Sequence, residues 1–174
     1  MTFCVLIRGP LASGKTTIAN ALADRTGARV ISVDRILDEQ GLEEWEDHSD
    51  GTYCVTEKSF LRANDFVLED ASRLHARGQS TIIDGNFYWR STVEDLVGRI
   101  GTVCHVFTLK VPLSVCVERN KTRAHPIGNE MDVKMVFDEV SSFDVGTLVD
   151  VTGTVEEAVE AIRASLRASP PASG

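Results

Sequence analysis

The residues with the most informative chemistry lie near the start of the chain, where Gly9-Pro10-Leu11-Ala12-Ser13-Gly14-Lys15-Thr16 matches G-x-x-x-x-G-K-[ST] at every fixed position. Glycines at these places let the backbone turn tightly, so that successive N–H groups point inward and form a nest for an anion. In this motif the lysine reaches the β- and γ-phosphates of a nucleotide, and the last hydroxyl joins the shell of a Mg²⁺ ion. The pattern therefore predicts ATP or GTP binding, against the simpler alternative of a ligand-free turn, through Gly9, Leu11, Ala12, Ser13, Gly14, Lys15, Thr16 and Thr17.

Two aspartates follow apolar runs and could handle a proton and a metal ion. Asp34 closes the run at residues 30–33, and Asp84 closes the run at residues 81–83. Both would lie at the carboxyl edge of a parallel sheet, where ligands bind in open α/β folds. Asp34 could accept the proton of an attacking hydroxyl, or it could only cap the following helix. Asp84 could contact the acceptor or hold Mg²⁺ together with Thr16, or it could belong to a simple Asp-Gly turn.

Two further groups of polar residues complete the candidate site. The first follows Asp84 and could shape an acceptor pocket, and it comprises Asn86, Tyr88 and Arg90. The second is a cluster of cations in an otherwise acidic chain, and it comprises Arg119, Lys121 and Arg123. Cations of this kind can stabilise the charge of a phosphoryl group in transfer, and we predict this catalytic role for Arg119 and Arg123 beside Lys15. The alternative is that they complement the carboxyl end of a helix.

Apolar runs with strand character alternate five times with segments of helical periodicity. The strands are predicted at residues 3–7, 30–33, 81–83, 103–111 and 147–151. Helix starts are predicted from a Thr56 cap and from capping boxes at Ser91–Glu94 and Thr154–Glu157. The acidic segment 38–53 is predicted as a short helix and a surface loop anchored by Trp45. Such alternation is typical of an α/β fold, with a parallel sheet covered by helices on both faces.

The composition is that of an ordinary globular protein, for which we predict one domain over residues 1–168 and a flexible tail at 169–174. The 26 acidic and 18 basic residues give a net charge of −8, which disfavours a nucleic-acid partner because such binding draws on Lys and Arg. No apolar run approaches the ~20 residues of a membrane span, and no signal-peptide pattern opens the chain. The four cysteines form no C-x-x-C pair, so we expect no zinc ribbon and a cytoplasmic location.

In combination, these motifs resemble the small P-loop kinases, above all the AAA_33 group of predicted kinases and the kinase domain of polynucleotide 5′-hydroxyl kinases. Four parts of the sequence carry the resemblance, which covers residues 1 to about 145: residues 9–16, Asp34, residues 82–86 and residues 111–123. The resemblance implies a P-loop NTPase three-layer sandwich, with a five-stranded parallel sheet of order 2-3-1-4-5 and a lid over ATP. By motif match, it implies Asp34 as the general base, Arg123 as the lid arginine and Asp84 near the acceptor. Arg35 is the arginine available after Asp34 to contact a substrate.

The sequence therefore predicts a kinase that uses ATP and Mg²⁺ and phosphorylates a hydroxyl of a small-molecule acceptor. A polynucleotide 5′-hydroxyl kinase and a nucleotide-binding regulatory protein without transfer activity are the two alternatives. ATP is expected over GTP because no guanine-reading N-K-x-D pattern is found; the nearest match, residues 120–123, ends in Arg123. The sequence leaves the acceptor and the oligomeric state open.

Overall fold

The computed structural model describes residues 2–47 and 52–168. The predicted tail at 169–174 and part of the acidic segment lie outside the described residues. The elements are β1 Cys4–Arg8, α1 Lys15–Thr26, β2 Arg29–Ser32, α2 Val33–Glu39, β3 Trp45–Asp47, β4 Tyr53–Val55, α3 Glu57–Ala76, β5 Thr81–Gly85, α4 Arg90–Arg99, β6 Cys104–Lys110, α5 Leu113–Lys121, α6 Glu130–Ser141, β7 Thr147–Asp150 and α7 Val155–Ala168. Among these residues, no helix has the length and apolar character that crossing a lipid bilayer requires.

The main sheet has five strands in the order β2-β5-β1-β6-β7, and every pair is parallel. The predicted order 2-3-1-4-5 is confirmed, because the numbering differs only by the small hairpin β3-β4, which lies outside this sheet. The register places Ile7 of β1 beside Asp84 of β5. The carboxyl ends of these two central strands therefore lie side by side, at the edge where an open α/β sheet binds its ligands.

The sheet is buried on both faces, as the continuous apolar run of β1 predicts. All five residues of β1 are buried, and successive side chains enter opposite cores. Leu6 packs into the core that includes residues of α2, α3, α4 and α6. Val5 and Ile7 pack into the core that includes residues of α1 and α7. Two helical layers on one sheet give the three-layer sandwich that the sequence predicts.

The helix starts confirm two of the three predicted caps. The Thr56 side chain accepts a hydrogen bond from the Ser59 N–H at the start of α3. Thr154 and Glu157 exchange side-chain and backbone bonds before α7. The predicted box at Ser91–Glu94 is wrong, because α4 begins earlier, after Trp89, and the Ser91 hydroxyl instead donates to Glu57.

The acidic segment is more regular than predicted. Helix α2 begins at Val33, so β2 ends at Ser32 and Asp34 lies in the first helical turn. Within the segment predicted as a loop, residues 45–47 form β3, which pairs antiparallel with β4 to give a small hairpin. Trp45 is 57% exposed, so its prediction as a packing anchor is wrong.

A buried arginine ties the end of β1 to three other parts of the fold. Arg8 Nη1 donates to Thr108 Oγ1 (3.3 Å) on β6 and to the Phe143 carbonyl (3.0 Å) after α6. Its Nη2 donates to the carbonyls of Phe87 (3.2 Å) and Val140 (2.8 Å), and the guanidinium stacks 4.0 Å from the Phe143 ring centroid. Burial lowers the pKa of Arg8 to about 10, so the group stays charged at neutral pH.

We predict that Arg8→Met lowers the free energy of unfolding by about 3 kcal/mol, because it leaves buried carbonyls without donors. Urea denaturation measures this loss. The matched change Arg29→Met, at an exposed position on β2, should shift the free energy by no more than about 0.5 kcal/mol. Equal stability of Arg8→Met and the wild type would show that the buried guanidinium does not hold these segments together.

Candidate functional site

The loop between β1 and α1 has the backbone of a phosphate nest. Gly14 has φ +98°, a left-handed conformation that side chains rarely adopt, and the loop closes through a Ser13 N–H bond to the Pro10 carbonyl (3.2 Å). A Cβ on Gly9 would lie 2.9 Å from Ser13 Oγ and 3.0 Å from Leu109 Cβ, so a side chain there would displace these neighbours. The first N–H groups of the twelve-residue helix α1 follow directly, and they favour an anion at the same place.

Lys15 spans this loop and is buried. Its Nζ donates to the Pro10 carbonyl at 2.9 Å. Burial lowers the pKa of Lys15, while the carboxylates of Asp34 and Asp84 act in the opposite direction and Arg123 adds to the lowering. The ammonium therefore interacts with both predicted carboxylates and is positioned to move onto a phosphate.

Thr16 and Asp84 form the pair that could hold a magnesium ion. Thr16 Oγ1 donates to Asp84 Oδ2 at 2.7 Å. Asp84 is 2% exposed, and its Oδ1 atom has no hydrogen-bond partner among the described residues. Oxygen donors of this kind suit Mg²⁺, which takes one or two protein ligands and completes its shell with water and phosphate. The described residues bring no cluster of three or more His, Cys, Asp or Glu together.

Asp34 faces a cavity at the carboxyl end of β2. The surrounding walls raise the pKa of this carboxyl above its ordinary value; Lys15 opposes that shift, and Asp84 and Glu43 add to it. The helix cap is not Asp34 but Ser32, whose side chain accepts the N–H of Arg35. The Asp34 carboxylate is therefore available for other chemistry, beside the phosphate loop and with a raised affinity for a proton.

The cavity in front of Asp34 has a volume of about 540 Å³, the size that small-molecule sites usually have. Its lining comes from the phosphate loop, α2, the β3-β4 hairpin with the residues before it, α3, the loop after β5 and the α5–α6 region. The lining residues are Leu11, Asp34, Leu37, Glu43, Trp45, Tyr53, Val55, Phe60, Asn86, Tyr88, Ile127, Gly128, Asp132, Met135 and Val136. The predicted acceptor residue Asn86 is among them, and its Nδ2 lies 3.5 Å from the Tyr88 hydroxyl. Leu11, predicted to bind nucleotide, also lines this cavity.

The loop after β5 is held in a strained shape. Phe87 has φ +52°, which a bulky residue adopts only when its surroundings impose it. Two contacts impose this backbone conformation. Arg8 donates a hydrogen bond to the Phe87 carbonyl, and the Phe87 side chain is fully buried. Asn86 and Tyr88, on either side of Phe87, are thereby fixed in the cavity wall.

The α5–α6 connection closes one side of the cavity, where the resemblance implies a lid. Asn120 Oδ1 accepts the Ile127 N–H (3.0 Å), and its Nδ2 donates to the Ile127 carbonyl (3.1 Å). Asn129 and Asp132 then cap α6 with a capping box. Asn120 thus pins the segment whose Ile127 and Gly128 face the cavity.

The cations of the predicted cluster lie in three different environments. Arg119 donates to the carbonyls of Ser13 (3.2 Å) and Val151 (2.9 Å) and borders a second cavity of about 220 Å³. Ser13, Gly14 and Thr17, all predicted to bind nucleotide, line that second cavity, which Asp34 does not reach. Lys121 pairs with Glu130 (3.2 Å). Arg123 is the member that acts electrostatically on Lys15.

Two predicted substrate-binding arginines do not line the cavity that Asp34 faces. Arg35 pairs with Glu39 (3.7 Å) and borders a separate surface groove, because successive residues of α2 point in directions about 100° apart. Arg90 lies over the Phe143 ring (4.9 Å from its centroid) and donates to the Asp144 carbonyl (3.3 Å). Neither of them lines the cavity that Asp34 faces, and the predicted substrate contacts of both stay predictions.

Sequence reasoning missed several residues that build the cavity. No signal in the sequence pointed to Glu43 and Tyr53. The hairpin of the acidic segment has strands of only three residues, which show no clear alternation of apolar and polar side chains. Arg8 did carry a signal, since a charged residue that ends a wholly apolar strand must find partners in the core.

Fold, loop and carboxylate positions together define a P-loop NTPase of the three-layer α/β type. A family model, AAA_33, described as an AAA domain, matches residues 4–139, and the chain belongs to that family. The search of curated proteins returns no significant match.

Solved structures with the same fold include several kinases. A gluconokinase from Sinorhizobium meliloti 1021 superposes with a TM-score of 0.73 at 20% identity, covering 94% of this chain and 91% of that one. A sugar kinase from Janibacter sp. HTCC2649 gives 0.75 at 21% identity, with 98% and 97% covered. A shikimate kinase from Aquifex aeolicus gives 0.61 at 20% identity, with 94% and 96% covered. At these identities the likeness establishes the fold.

We predict that Gly9→Ala weakens ATP binding by at least about tenfold, because the new Cβ displaces Ser13 and distorts the anion nest. Titration calorimetry measures the affinity. Gly98→Ala is the matched control, since a Cβ on that helical glycine meets nothing within 4 Å. If Gly9→Ala bound ATP as tightly as Gly98→Ala, the loop backbone would not be the phosphate site.

Proposed function

We propose that the protein is an ATP-dependent phosphotransferase that moves the γ-phosphate of ATP to a hydroxyl group of a small molecule. One observation carries the proposal: the Asp34 carboxylate faces a cavity of small-molecule size and interacts electrostatically with Lys15 of the phosphate loop. A proton acceptor, a phosphate cation and a space for a substrate thus meet at one place. The family match and the kinases that share the fold support the same reaction class.

Each residue has a definite part in the proposed reaction. The loop backbone and Lys15 bind the phosphates and orient the terminal one toward the cavity. Asp34 accepts the proton of the acceptor hydroxyl as the new oxygen–phosphorus bond forms and the bond between the γ-phosphorus and the β–γ bridging oxygen breaks, releasing ADP. Thr16 and Asp84 would hold Mg²⁺, which neutralises phosphate charge when bound. The apolar cavity walls exclude the water that would otherwise compete as acceptor.

The positions of Arg123 and Arg119 favour different roles for these two cations in the reaction. Arg123, which acts on Lys15, is the better candidate to stabilise charge on the transferred group. Arg119 borders the smaller cavity beside Gly14 and Thr17, at the far side of the loop from Asp34. We assign Arg119 to the nucleotide base or sugar, where a planar guanidinium can stack.

We predict that labelled γ-phosphate is transferred from ATP, in the presence of Mg²⁺, to at least one alcohol in a panel of sugars, polyols, nucleosides, amino alcohols and 5′-hydroxyl oligonucleotides. Asp34→Asn should reduce the transfer rate by a factor of about 10² to 10⁴ and leave ATP affinity nearly unchanged, because it removes the base but not the loop. Asp38→Asn, at an exposed position one turn further along α2, should behave as the wild type. Transfer at the wild-type rate by Asp34→Asn would contradict the assignment of the base.

The transfer rate should also fall on the acid side at a higher pH than an ordinary aspartate would produce. The cavity walls raise the pKa of Asp34, so its carboxyl becomes protonated, and can no longer accept a proton, while the pH is still above the usual range for aspartate. A pH profile of kcat/KM for the acceptor measures the midpoint. A rate that stays constant down to the ordinary pKa of aspartate would contradict the proposed proton transfer.

A further inference from the structure

The lining of the acceptor cavity has an unusual charge for a site next to phosphates. Among its described lining residues there is no Lys, Arg or His, and three are acidic: Asp34, Glu43 and Asp132. Lys15, the cation that interacts with Asp34, belongs to the phosphate loop. A sugar acid, a nucleotide or a phosphodiester would have to bring its negative charge into this cavity without a partner, which is unfavourable.

Glu43 is a solvent-exposed acidic residue of the cavity wall. Within the part of the chain that the structure describes, its carboxylate has no hydrogen bond or ion pair, whereas the neighbouring Glu44 pairs with Lys58 and Arg62. Desolvation by the surrounding protein is the main cause of the raised pKa values of Asp34, which keeps some exposure to solvent, and of the buried Tyr88, and Glu43 adds to both. Asp132 differs, because it accepts the Asn129 N–H. A cation beside Glu43 would relieve the repulsion with Asp34.

Two exposed aromatic rings line the same cavity as this carboxylate. The register of the β3-β4 hairpin pairs Trp45 with Val55 and Asp47 with Tyr53, so both rings lie on one face of the hairpin. Both line the cavity, and they remain 57% and 51% exposed. Aromatic faces beside a carboxylate are the arrangement that binds an ammonium group, through cation–π attraction and charge.

A third observation concerns an amide in the cavity wall. Asn86 is 7% exposed and lines the cavity, and its Oδ1 has no partner among the described residues. A buried acceptor of this kind normally has a donor, so a ligand that supplies N–H or O–H groups would satisfy it. The cavity thus offers acceptors and aromatic faces, and the complementary ligand offers donors, positive charge and an apolar body.

We infer that the phosphate acceptor is a cationic amino alcohol. Its hydroxyl meets Asp34, and its ammonium group lies between Glu43 and the rings of Trp45 and Tyr53. The role of the hydroxyl rests on the proposed function, but the ammonium site rests on the cavity wall alone. Binding and transfer can therefore be tested separately.

The test compares related alcohols that carry a positive, a neutral or a negative group. The probes are amino sugars and aryl amino alcohols such as glucosamine and 2-amino-1-phenylethanol, their N-acetyl derivatives, and the sugar acid gluconate. Each is titrated by calorimetry into the full-length protein with ADP and Mg²⁺, and each is then offered with labelled ATP. We expect at least one amine to bind about tenfold more tightly than its N-acetyl form, and gluconate not to bind. Equal or tighter binding of the neutral or acidic probes, or binding by none of the amines, overturns the inference.

Variants of the wall show whether Glu43 causes the preference. Glu43→Gln should weaken amine binding by about tenfold and leave binding of the N-acetyl form unchanged, because only the carboxylate charge is lost. Trp45→Leu should likewise weaken amine binding and leave binding of the N-acetyl form unchanged. Glu69→Gln, at an exposed position on α3 outside the cavity, is the matched control. An amine preference that survives Glu43→Gln unchanged contradicts the proposed ammonium site.

Failure of the inference and failure of the proposed function give different results. Amines that bind in a Glu43-dependent way but receive no phosphate support the ammonium site and contradict the kinase. Phosphate transfer to gluconate or to an N-acetyl sugar, with no preference for amines, supports the kinase and overturns the cationic acceptor.

Discussion

The buried guanidinium of Arg8 is the interaction on which the relative placement of the site's parts depends. It ends the strand that leads into the phosphate loop, and it binds the Phe87 carbonyl in the loop that lines the acceptor cavity. It also binds the Val140 and Phe143 carbonyls at the end of α6, the helix that contributes one wall. A charged group with no access to water is stable only when such partners surround it. The phosphate side and the acceptor side are therefore fixed to each other through one side chain.

The charged groups of the site are likewise stabilised by neighbouring partners. Lys15 and Asp34 lie at the starts of α1 and α2, Asp84 lies at the end of β5, and each of the two carboxylates acts on the lysine. Burial disfavours the charged forms of Lys15 and Asp34, while their mutual attraction favours them. An incoming phosphate or an acceptor hydroxyl changes this balance directly. Opposing effects of desolvation and attraction are typical of groups that bind charged ligands or transfer protons. They are less typical of groups that only stabilise a fold.

The sequence was sufficient for the parts of the structure that depend on local rules. The phosphate loop, the strand order and the position of Asp34 and Asp84 at one edge follow from a motif, from alternating periodicity and from the topology of parallel sheets. The direction of a side chain on a short helix or at a helix start does not follow from such rules. Arg35 and Arg90 illustrate this, because their neighbours Glu39 and Phe143 determine where they point.

The acceptor wall was the least predictable part for a related reason. Trp45 was predicted to be an anchor, yet it stands exposed on a hairpin whose strands are three residues long. Hairpins of this size are defined by tertiary contacts and leave little periodic signal. Glu43 acquires its importance only from the cavity that it faces. The residues of the β3-β4 side of the cavity wall are thus the ones with the weakest sequence signature.

The most direct test of the central claim is a crystal structure of the protein with Mg²⁺, a non-hydrolysable ATP analogue and an acceptor alcohol. The phosphate loop and the cavity before Asp34 form one active site if the acceptor oxygen lies about 3 Å from the Asp34 carboxylate and in line with the terminal phosphate held by Lys15. An acceptor bound outside this cavity, or a terminal phosphate directed away from Asp34, would contradict that claim.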